Sequence, residues 1–509
     1  MRITSLKLDT SHLSQNEEAI LRCQTALELK DKGDFEGTRR AMAPLWKTVG
    51  ARPEIEGLYP SVAAEVMLCI GILTGWIGSK EGIQNAQEVA KNLISESINF
   101  YESAGDAKQV AVCRAELAYC YWREGALNEA RIHFQEALEK LTTPGNTRAR
   151  ALLRLSIVEW SAERFTEALN ILTENAPLFN KISNHATKGA YHSQLAMVLR
   201  NLAPTPRTAE HFKRVLKEYE QADHHFKLAH NIVFRADVKN NVGNLFREVS
   251  RFKEAHRYLE QARRLRSSVR DKVGTAQIDD TRAQVFIAEK KFKEAEAVAR
   301  NAVRILEKSG HQCLLADVLV THGIALARLK RAESAQFAFQ RAIEVAHQVG
   351  ALNKAGIAAL TMIEELEELS SDALYAAYDR AVEWLATSQS QDLLIRLNAA
   401  ARKVVEKVRT SASLPQVVPE DPIDAILNKP CDLQQEVLKY EGTVIQRALA
   451  KANGSLTRAA AMLSMSYQAL AYIIESRQPD LLKERTPIRR RARRESAVPK
   501  IPEQIPEQS

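Results

Sequence analysis

The sequence has few residues that break helices. Among 509 residues there are only 20 glycines and 16 prolines, and the Val-Ile-Thr alternation typical of strands is almost absent. Ala, Leu, Glu, Lys and Arg, which favour helices, are abundant. With 45% hydrophobic and 26% charged residues, the composition is that of a folded protein. We therefore predict an all-α fold, arranged as several domains or as a repeat array because the chain is too long for one core.

Motifs for catalysis and cofactor binding are also missing. The chain contains no GxxxxGK[ST] phosphate loop, no HExxH and no GxSxG, and its six cysteines form no CxxC pair. His211, His224, His225 and His230 lie on one polar, lysine-rich stretch, which is more typical of surface histidines than of a metal site. We expect a protein that is not an enzyme and binds no cofactor.

Long hydrophobic runs are scarce. The N-terminus lacks the apolar stretch of a signal peptide. The most apolar run, residues 66–78, is too short to cross a bilayer as a helix. We interpret it as a core helix and predict a cytoplasmic protein without a membrane partner.

A pattern of small residues with one large residue recurs along the chain. In the clearest copy, Ala118 is followed after three residues by Tyr121, after twelve by Ala130, after sixteen by Phe134 and after nineteen by Ala137. The frame recurs at Gly243, Phe246, Ala255, Leu259 and Ala262, at Ala283, Phe286, Ala295, Ala299 and Ala302, and at Gly323, Leu326, Ala335, Phe339 and Ala342. Small residues let two helices approach closely while the large residue fills the gap beside them.

This pattern resembles the tetratricopeptide repeat (TPR) family, which pairs two antiparallel helices per unit. The resemblance implies a right-handed helical-repeat solenoid, which we place at residues 1–409. The steps between Ala255, Ala295 and Ala335 are 40 residues each, longer than the usual 34, so the helices or turns are longer here. Between Ala196 and Ala222 the spacing stretches and includes two prolines, which indicates an inserted loop.

Stacked repeats usually bind a protein or peptide on their concave wall. Asn240, Asn244 and Arg247 share one helical face, and Asn side chains can hydrogen-bond an extended peptide. Arg200, on an earlier unit, is a weaker candidate of the same kind. These four residues are our peptide-groove candidates. The alternative is that they are ordinary polar residues of a solvated or inter-repeat surface.

After Arg409 the composition changes. Four prolines (Pro415, Pro419, Pro422, Pro430) exclude a continuous helix, so we predict a proline-rich linker at residues 410–432. A module at residues 433–482 and a basic, proline-containing, disordered tail at residues 483–509 would follow. Asn453-Gly454 is a helix stop signal, and Ser455 favours the start of the next helix.

The stretch from Ser455 to Ile474 predicts two short helices around a tight turn at residues 464–466. Together with the helix before it, this stretch resembles the C-terminal helix-turn-helix of the factor for inversion stimulation (Fis) family. The residues that match in order and spacing are Glu441, Ile445, Ala448, Leu449, Gly454, Ala459, Ala460 and Leu463. Ser464 departs from the pattern, because glycine is typical there. The Fis-like interpretation competes with an alanine-rich hairpin that merely extends the repeats.

The resemblance implies DNA as a partner and a homodimer that pairs through the helix at residues 433–452. The residues expected to face the groove are Ser466, Tyr467, Gln468, Ala471 and Tyr472. They are neutral, whereas the family usually has arginine-rich residues there. The net charge of the whole chain is only +8, but residues 477–494 are strongly basic. The phosphate contacts would therefore come from Arg489, Arg490, Arg491, Arg493 and Arg494.

Together these patterns predict a transcriptional regulator whose repeats sense a protein or peptide and whose C-terminal module binds DNA. Two rival functions remain. One is a repeat scaffold or adaptor whose terminal module does not bind DNA sequence-specifically. The other is an enzyme regulated by repeats, which the missing motifs disfavour.

Overall fold

The computed structural model describes residues 10–202, 208–386, 388, 390–413 and 432–484. All the regular structure in these ranges is helical. By their contacts the residues fall into two compact units, Met1–Val408 and Arg409–Ser509. The expected all-α class is therefore confirmed.

Twenty helices follow one another from the first unit into the start of the second. Their bounds are α1 Gln15–Asp31, α2 Phe35–Met42, α3 Pro60–Glu81, α4 Ala86–Ser103, α5 Ala107–Glu124, α6 Leu127–Lys140, α7 Asn146–Ser161, α8 Phe165–Glu174, α9 Ala176–Lys181, α10 His185–Asn201, α11 Ala209–Leu228, α12 Ile232–Glu248, α13 Phe252–Ser268, α14 Lys272–Ala288, α15 Phe292–Leu306, α16 Gln312–Arg328, α17 Ala332–Gln348, α18 Leu352–Glu365, α19 Ser371–Leu385 and α20 Gln391–Ser413. Within the described ranges they form nine consecutive helix pairs, with the short α9 and the final α20 outside the pairing.

The small-and-large pattern lies where two helices of a pair meet. Ala118, Ala130, Phe134 and Ala137 are all fully buried between α5 and α6. In a later pair, a Cβ atom added to Gly323 of α16 would come within 2.8 Å of the Phe339 ring on α17. Only glycine at this position permits the close crossing, so the pattern reports helix packing. The first unit is a TPR-type helical-repeat array.

The 40-residue unit is visible in the turns. Positive φ angles recur at twenty-residue intervals, at His230, Ser250, Arg270, Lys290, Gly310, Lys330 and Gly350. Each of these residues takes the left-handed conformation that ends a helix and reverses the chain. Every helix-plus-turn segment here is thus about twenty residues long, which explains why the unit exceeds the usual TPR length.

The early pairs also contact later ones. The side-chain amide of Asn231, at the start of α12, donates to the main-chain carbonyl of Asp31 in α1 at 2.8 Å. Lys80 of α3 forms an ion pair with Asp271, which precedes α14, at 3.3 Å. The first pair therefore contacts the sixth, and the second pair contacts the start of the seventh. Sequence periodicity did not indicate these contacts.

Three features of the helices differ from the sequence-based expectation. The apolar segment belongs to a 22-residue helix, α3, which is longer than the run of thirteen residues. It is the one described helix with the length and apolarity to cross a membrane, but 83% of its most apolar window is buried in the fold. The short helix α9 was not expected. Helix α20 continues beyond Arg409 to at least Ser413, the last described residue before the gap.

The second unit contains helices α21 (Leu433–Lys451), α22 (Leu456–Met462) and α23 (Tyr467–Arg477), followed by a 3-10 turn at Pro479–Glu484. It has a core of its own, in which all three helices and the turn take part. The buried members are Ile445, Ala448, Leu449, Ala452, Leu456, Ala459, Ala460, Leu470, Ile474 and Leu481. Most of the predicted linker at residues 410–432, and the tail from residue 485, lie outside the described residues.

Candidate nucleic-acid interface and repeat groove

The turn between α22 and α23 is short and closely hydrogen-bonded. Helix α22 ends where Leu463 N–H donates to the Ala459 carbonyl, and Met465 N–H donates back to the Ala460 carbonyl at 3.0 Å. Ser464 has a φ of 54°, the left-handed region that favours glycine. The Ser466 hydroxyl then accepts the Ala469 N–H at 3.1 Å and so caps α23. The expected turn at residues 464–466 is present, with serine in the strained position.

Two alanines allow the helices around this turn to cross closely. Ala459 and Ala460 are at most 2% exposed, and both belong to the core shared by α21, α22 and α23. A larger side chain at either position would displace a neighbouring helix. Ser455 precedes α22 as expected, but its side chain makes no capping hydrogen bond.

Helix α23 presents one face to solvent. Ser466, Tyr467, Gln468 and Tyr472 are exposed and Ala471 is half-buried, whereas Leu470 and Ile474 are buried in the core. Tyr472 is 68% exposed, an unusual environment for a large aromatic side chain. All five residues expected to face the DNA groove therefore lie on the outer side of α23 or at its start. Their contact with DNA stays a prediction.

Charge distinguishes the module from its tail. Residues 432–484 contain six Lys or Arg and six Asp or Glu, so the described module has no net charge. Residues 485–494 contain six arginines and no acid. The tail candidates Arg489, Arg490, Arg491, Arg493 and Arg494 lie outside the described residues. That the tail supplies the phosphate contacts stays a prediction.

Helix α21 carries an exposed apolar stripe. Leu433, Val437, Tyr440 and Val444 follow at spacings of four, three and four residues, which places them on one helical face. Leu433 and Tyr440 are each 74% exposed and Val437 is 56% exposed. Ile445 and Leu449, in contrast, are buried inside the module. The stripe is thus the part of α21 that the module does not bury.

The groove candidates lie on α10 and α12. Arg247 Nε donates to Asn244 Oδ1 at 2.7 Å, and Arg200 Nε donates to Glu248 Oε1 at 3.0 Å. Asn240 Oδ1 is buried and accepts no hydrogen bond from any described residue. The two arginines are thus tied to neighbouring side chains, while Asn240 keeps an unused acceptor. Binding of these four residues to a peptide stays a prediction.

Arg247 also lines a cavity of about 630 Å³ between α12, α14, α16 and α18. The same cavity contains Asp280, which is 8% exposed and whose Oδ1 lacks a partner among the described residues. Gln284 donates to the other carboxylate oxygen at 2.9 Å. Burial, helped by the nearby charge of Asp317, raises the pKa of Asp280 to about 6, although hydrogen bonds from Thr321 and Gln284 lower it in part. Sequence reasoning missed Asp280, because it lies among other polar residues of α14, including Gln277 and Gln284.

Comparison with known proteins addresses the second unit directly. Residues 439–474 match the model of a family described as "Bacterial regulatory protein, Fis family". The match spans most of α21, all of α22 and α23 up to Ile474. The C-terminal module is a Fis-type helix-turn-helix. No curated protein sequence matches the chain.

Several solved structures are similar to the repeat array. One is a Rap protein complexed with competence and sporulation factor, at 11% identity and a TM-score of 0.46, with 66% of this chain and 99% of that one covered. Another is yeast Tom70, at 13% identity and a TM-score of 0.44, with 80% of this chain and 86% of that one covered. A third is a signal transduction ATPase with a tetratricopeptide repeat sensor from Pyrococcus horikoshii, at 14% identity and a TM-score of 0.42, with 75% of this chain and 65% of that one covered. At these TM-scores the likeness assigns no ligand or partner to this chain.

Within the Fis-type module, one cation was missed from the sequence. Arg458 is exposed on α22, the first helix of the helix-turn-helix, and makes no ion pair with the described residues. In helix-turn-helix proteins the first of the two helices crosses the DNA backbone. A single arginine within an alanine-rich helix was the available signal, which the richer arginine run of the tail overshadowed.

Proposed function

We propose that this protein is a DNA-binding transcriptional regulator of the cytoplasm, whose repeats bind a protein or peptide signal. The observation that carries the proposal is the Fis-type module, in which α23 turns Tyr467, Gln468 and Tyr472 outward. A recognition helix must expose such a face to reach base edges in the major groove. Gln468 offers an amide that can pair with adenine.

The module would bind DNA as a homodimer. The apolar stripe of α21, comprising Leu433, Val437, Tyr440 and Val444, is left uncovered by the module itself. A second copy of α21 would bury it, and a two-fold pair would set two recognition helices about one helical turn of DNA apart. The phosphate contacts would come from the tail arginines, with Arg458 adding one from α22.

The repeats would supply the sensor. Arg247 of the groove candidates lines the cavity that contains Asp280. Asn240, on the same helix as Arg247, and Asp280 each have a buried acceptor oxygen without a partner among the described residues. Such oxygens are costly unless a ligand donates to them. An extended peptide, whose backbone N–H groups are donors, fits that requirement.

A second function is favoured by one observation. The module carries no net charge over residues 432–484, and the residues expected to face the groove include no cation. This would suit an adaptor, in which the module pairs chains together and the repeats assemble protein partners.

DNA retention by the full chain tests the proposal against the adaptor. The wild type should shift mixed genomic fragments in low salt, and the double variant Gln468→Ala with Tyr472→Ala should bind more weakly by a factor of about ten or more. The matched control is Tyr375→Ala, which removes a partly exposed tyrosine from the repeats and should bind as the wild type does. Wild-type protein that binds no DNA in low salt would favour the adaptor instead.

A further inference from the structure

A second cavity, of about 400 Å³, lies inside the first unit. It is lined by the first helix of each of the first six pairs, namely α1, α3, α5, α7, α10 and α12. The contact between Asn231 and Asp31 joins the last of these helices to the first, and Asn184 before α10 also donates to the Asp31 carboxylate at 2.9 Å. The cavity thus lies where the array returns on itself, and it is open to solvent. The cavity beside the proposed peptide groove shares no lining residue with this one, although α12 contributes to both.

Five cations come together at this cavity: Lys30, Lys80, Arg123, Arg150 and Arg154. Three of them have acidic partners. Arg154 pairs with the buried Glu116 at 2.8 Å, Lys30 pairs with Asp31 at 3.5 Å, and Lys80 pairs with Asp271 at 3.3 Å. Arg123 and Arg150 make no ion pair and no side-chain hydrogen bond with the described residues. Two positive charges are therefore left over at the cavity wall.

The electrostatics agree with an excess of positive charge. Burial alone would raise the pKa of Glu116, but Arg154, Arg150 and Lys30 outweigh burial and lower it to about 2. Burial lowers the pKa of Arg123, and the neighbouring charge of Arg154 lowers it further, with partial compensation from Tyr119, Cys120 and Glu116. A guanidinium remains charged even so, because its ordinary pKa is far above neutrality. The site keeps cations that the chain itself does not neutralise.

The contacts of Arg123 leave its donors available. Its guanidinium lies 4.4 Å from the centre of the Tyr119 ring, and the guanidinium of Arg154 lies 4.3 Å from the same ring. An aromatic ring interacts with a cation through its face and accepts little from the N–H groups at the guanidinium edge. Those N–H groups form the planar fork that binds carboxylate or phosphate oxygens in pairs.

We propose that this cavity is a binding site for an oxyanion, a carboxylate or phosphate group, held by Arg123 and Arg150. The remaining wall includes Trp76, Leu153, Ile157 and Phe234, which would pack against an apolar or aromatic part of the same ligand. The volume is suited to a small organic anion or to one end of a larger one. The inference names the chemistry of a signal sensed by the repeats, and in that respect it rests on the proposed function.

Isothermal titration calorimetry on the full-length protein, without DNA, tests the site. Citrate and inorganic phosphate are titrated separately at constant ionic strength, with sodium chloride as the non-oxyanion reference. At least one oxyanion should bind and chloride should not. The oxyanion with the higher affinity shows whether the site prefers a carboxylate or a phosphate group.

The double variant Arg123→Gln with Arg150→Gln should bind the anion on the order of ten- to a hundredfold more weakly, since charged hydrogen bonds are removed. The control makes the same charge change at the exposed Arg264 and Arg402 and should bind as the wild type does. Arg123→Lys keeps the charge but not the fork, so it should also weaken binding, and helical content by circular dichroism verifies its fold.

Two results would overturn the site: no heat with either oxyanion for the wild type, or equal affinity in the wild type and both Arg123 variants. Neither result depends on DNA. If the wild type binds DNA but no oxyanion, the proposed regulator function stands and the anion site is wrong. If it binds the oxyanion but no DNA, the anion site stands and the regulator function is wrong.

Discussion

Gly243 of α12 lies so close to Leu259 of α13 that a Cβ atom at position 243 would come within 2.6 Å of Leu259 Cγ. The main-chain carbonyl of Ala255 lies 3.3 Å from the same point. Leu259 is fully buried, so it has little room to move aside. The two helices of this pair therefore depend on the missing side chain for their separation.

Gly243→Ala should destabilise the array, because the added methyl group overpacks this crossing. We expect a loss of about 1–3 kcal/mol in the free energy of unfolding, measured by urea denaturation. Gly145→Ala is the matched control: it adds the same methyl group in an extended conformation with no atom within 4 Å, and should be neutral. Equal stability of Gly243→Ala and wild type would show that the pair is not packed this closely.

Ala460→Leu should destabilise the Fis-type module by on the order of 1–3 kcal/mol, since Ala460 is 2% exposed among three helices. The array unit should keep its own melting transition because the module has a separate core. Ala461→Leu, one residue along on the exposed side of α22, is the control and should change little. A module that tolerates leucine at both positions would contradict the close crossing of α22.

Most of the fold could be predicted because helix pairing imposes a pattern on the sequence. Positions such as Ala118 and Phe134 must be small or large for local reasons, and their spacing repeats with the unit. The Fis-type module was predictable for similar reasons, since Gly454 takes the left-handed conformation after α21 and Ala459 and Ala460 must be small where the helices pack.

The features that the sequence did not reveal depend on contacts between helix pairs far apart in the array. The contact of Asn231 with Asp31 spans 200 residues and has no periodic signal. The grouping of Arg123 with Arg150, and the lack of a described partner for Asp280 Oδ1, follow from such packing. Ordinary polar residues at these positions look the same in a sequence whether they are paired or not.

Replacing Asp280 by asparagine should stabilise the protein at neutral pH. The folded state holds the pKa of Asp280 near 6, above the usual 3.8, so the folded state binds more protons between these values. Stability is therefore lost as pH rises from about 3.8 to 6 and stays lower above that. Asp280→Asn should raise the free energy of unfolding by about 1–3 kcal/mol at pH 7.5 and leave it unchanged near pH 3.5, as measured by denaturation at both pH values.

Asp379→Asn is the control for this change, because Asp379 is exposed on α19, away from the cavity that contains Asp280. It should bring no gain at pH 7.5. If Asp280→Asn were destabilising at pH 7.5, its carboxylate would have to be a favourable partner of another group, which contradicts the unsatisfied oxygen.

Val437→Glu should convert a homodimer into a monomer, because it places a charge in the centre of the apolar stripe of α21. Sedimentation velocity on the full chain measures the change. Gln435→Glu makes the same charge change on the opposite face of α21 and should leave the dimer intact. A wild type that sediments as a monomer at all concentrations tested would contradict pairing through this stripe.

The salt dependence of DNA binding tests the central claim most directly. The affinity of the full chain for mixed genomic fragments is measured over a series of salt concentrations, for the wild type and for a variant in which Arg489, Arg490, Arg491, Arg493 and Arg494 are glutamine. Because the described module is neutral, the slope of log affinity against log salt should be steep for the wild type and set mainly by the tail. In the variant it should flatten by roughly 0.9 for each DNA phosphate that an arginine no longer neutralises. The same slope for both proteins would exclude the tail from the interface, and no binding by the wild type even in low salt would contradict DNA binding itself.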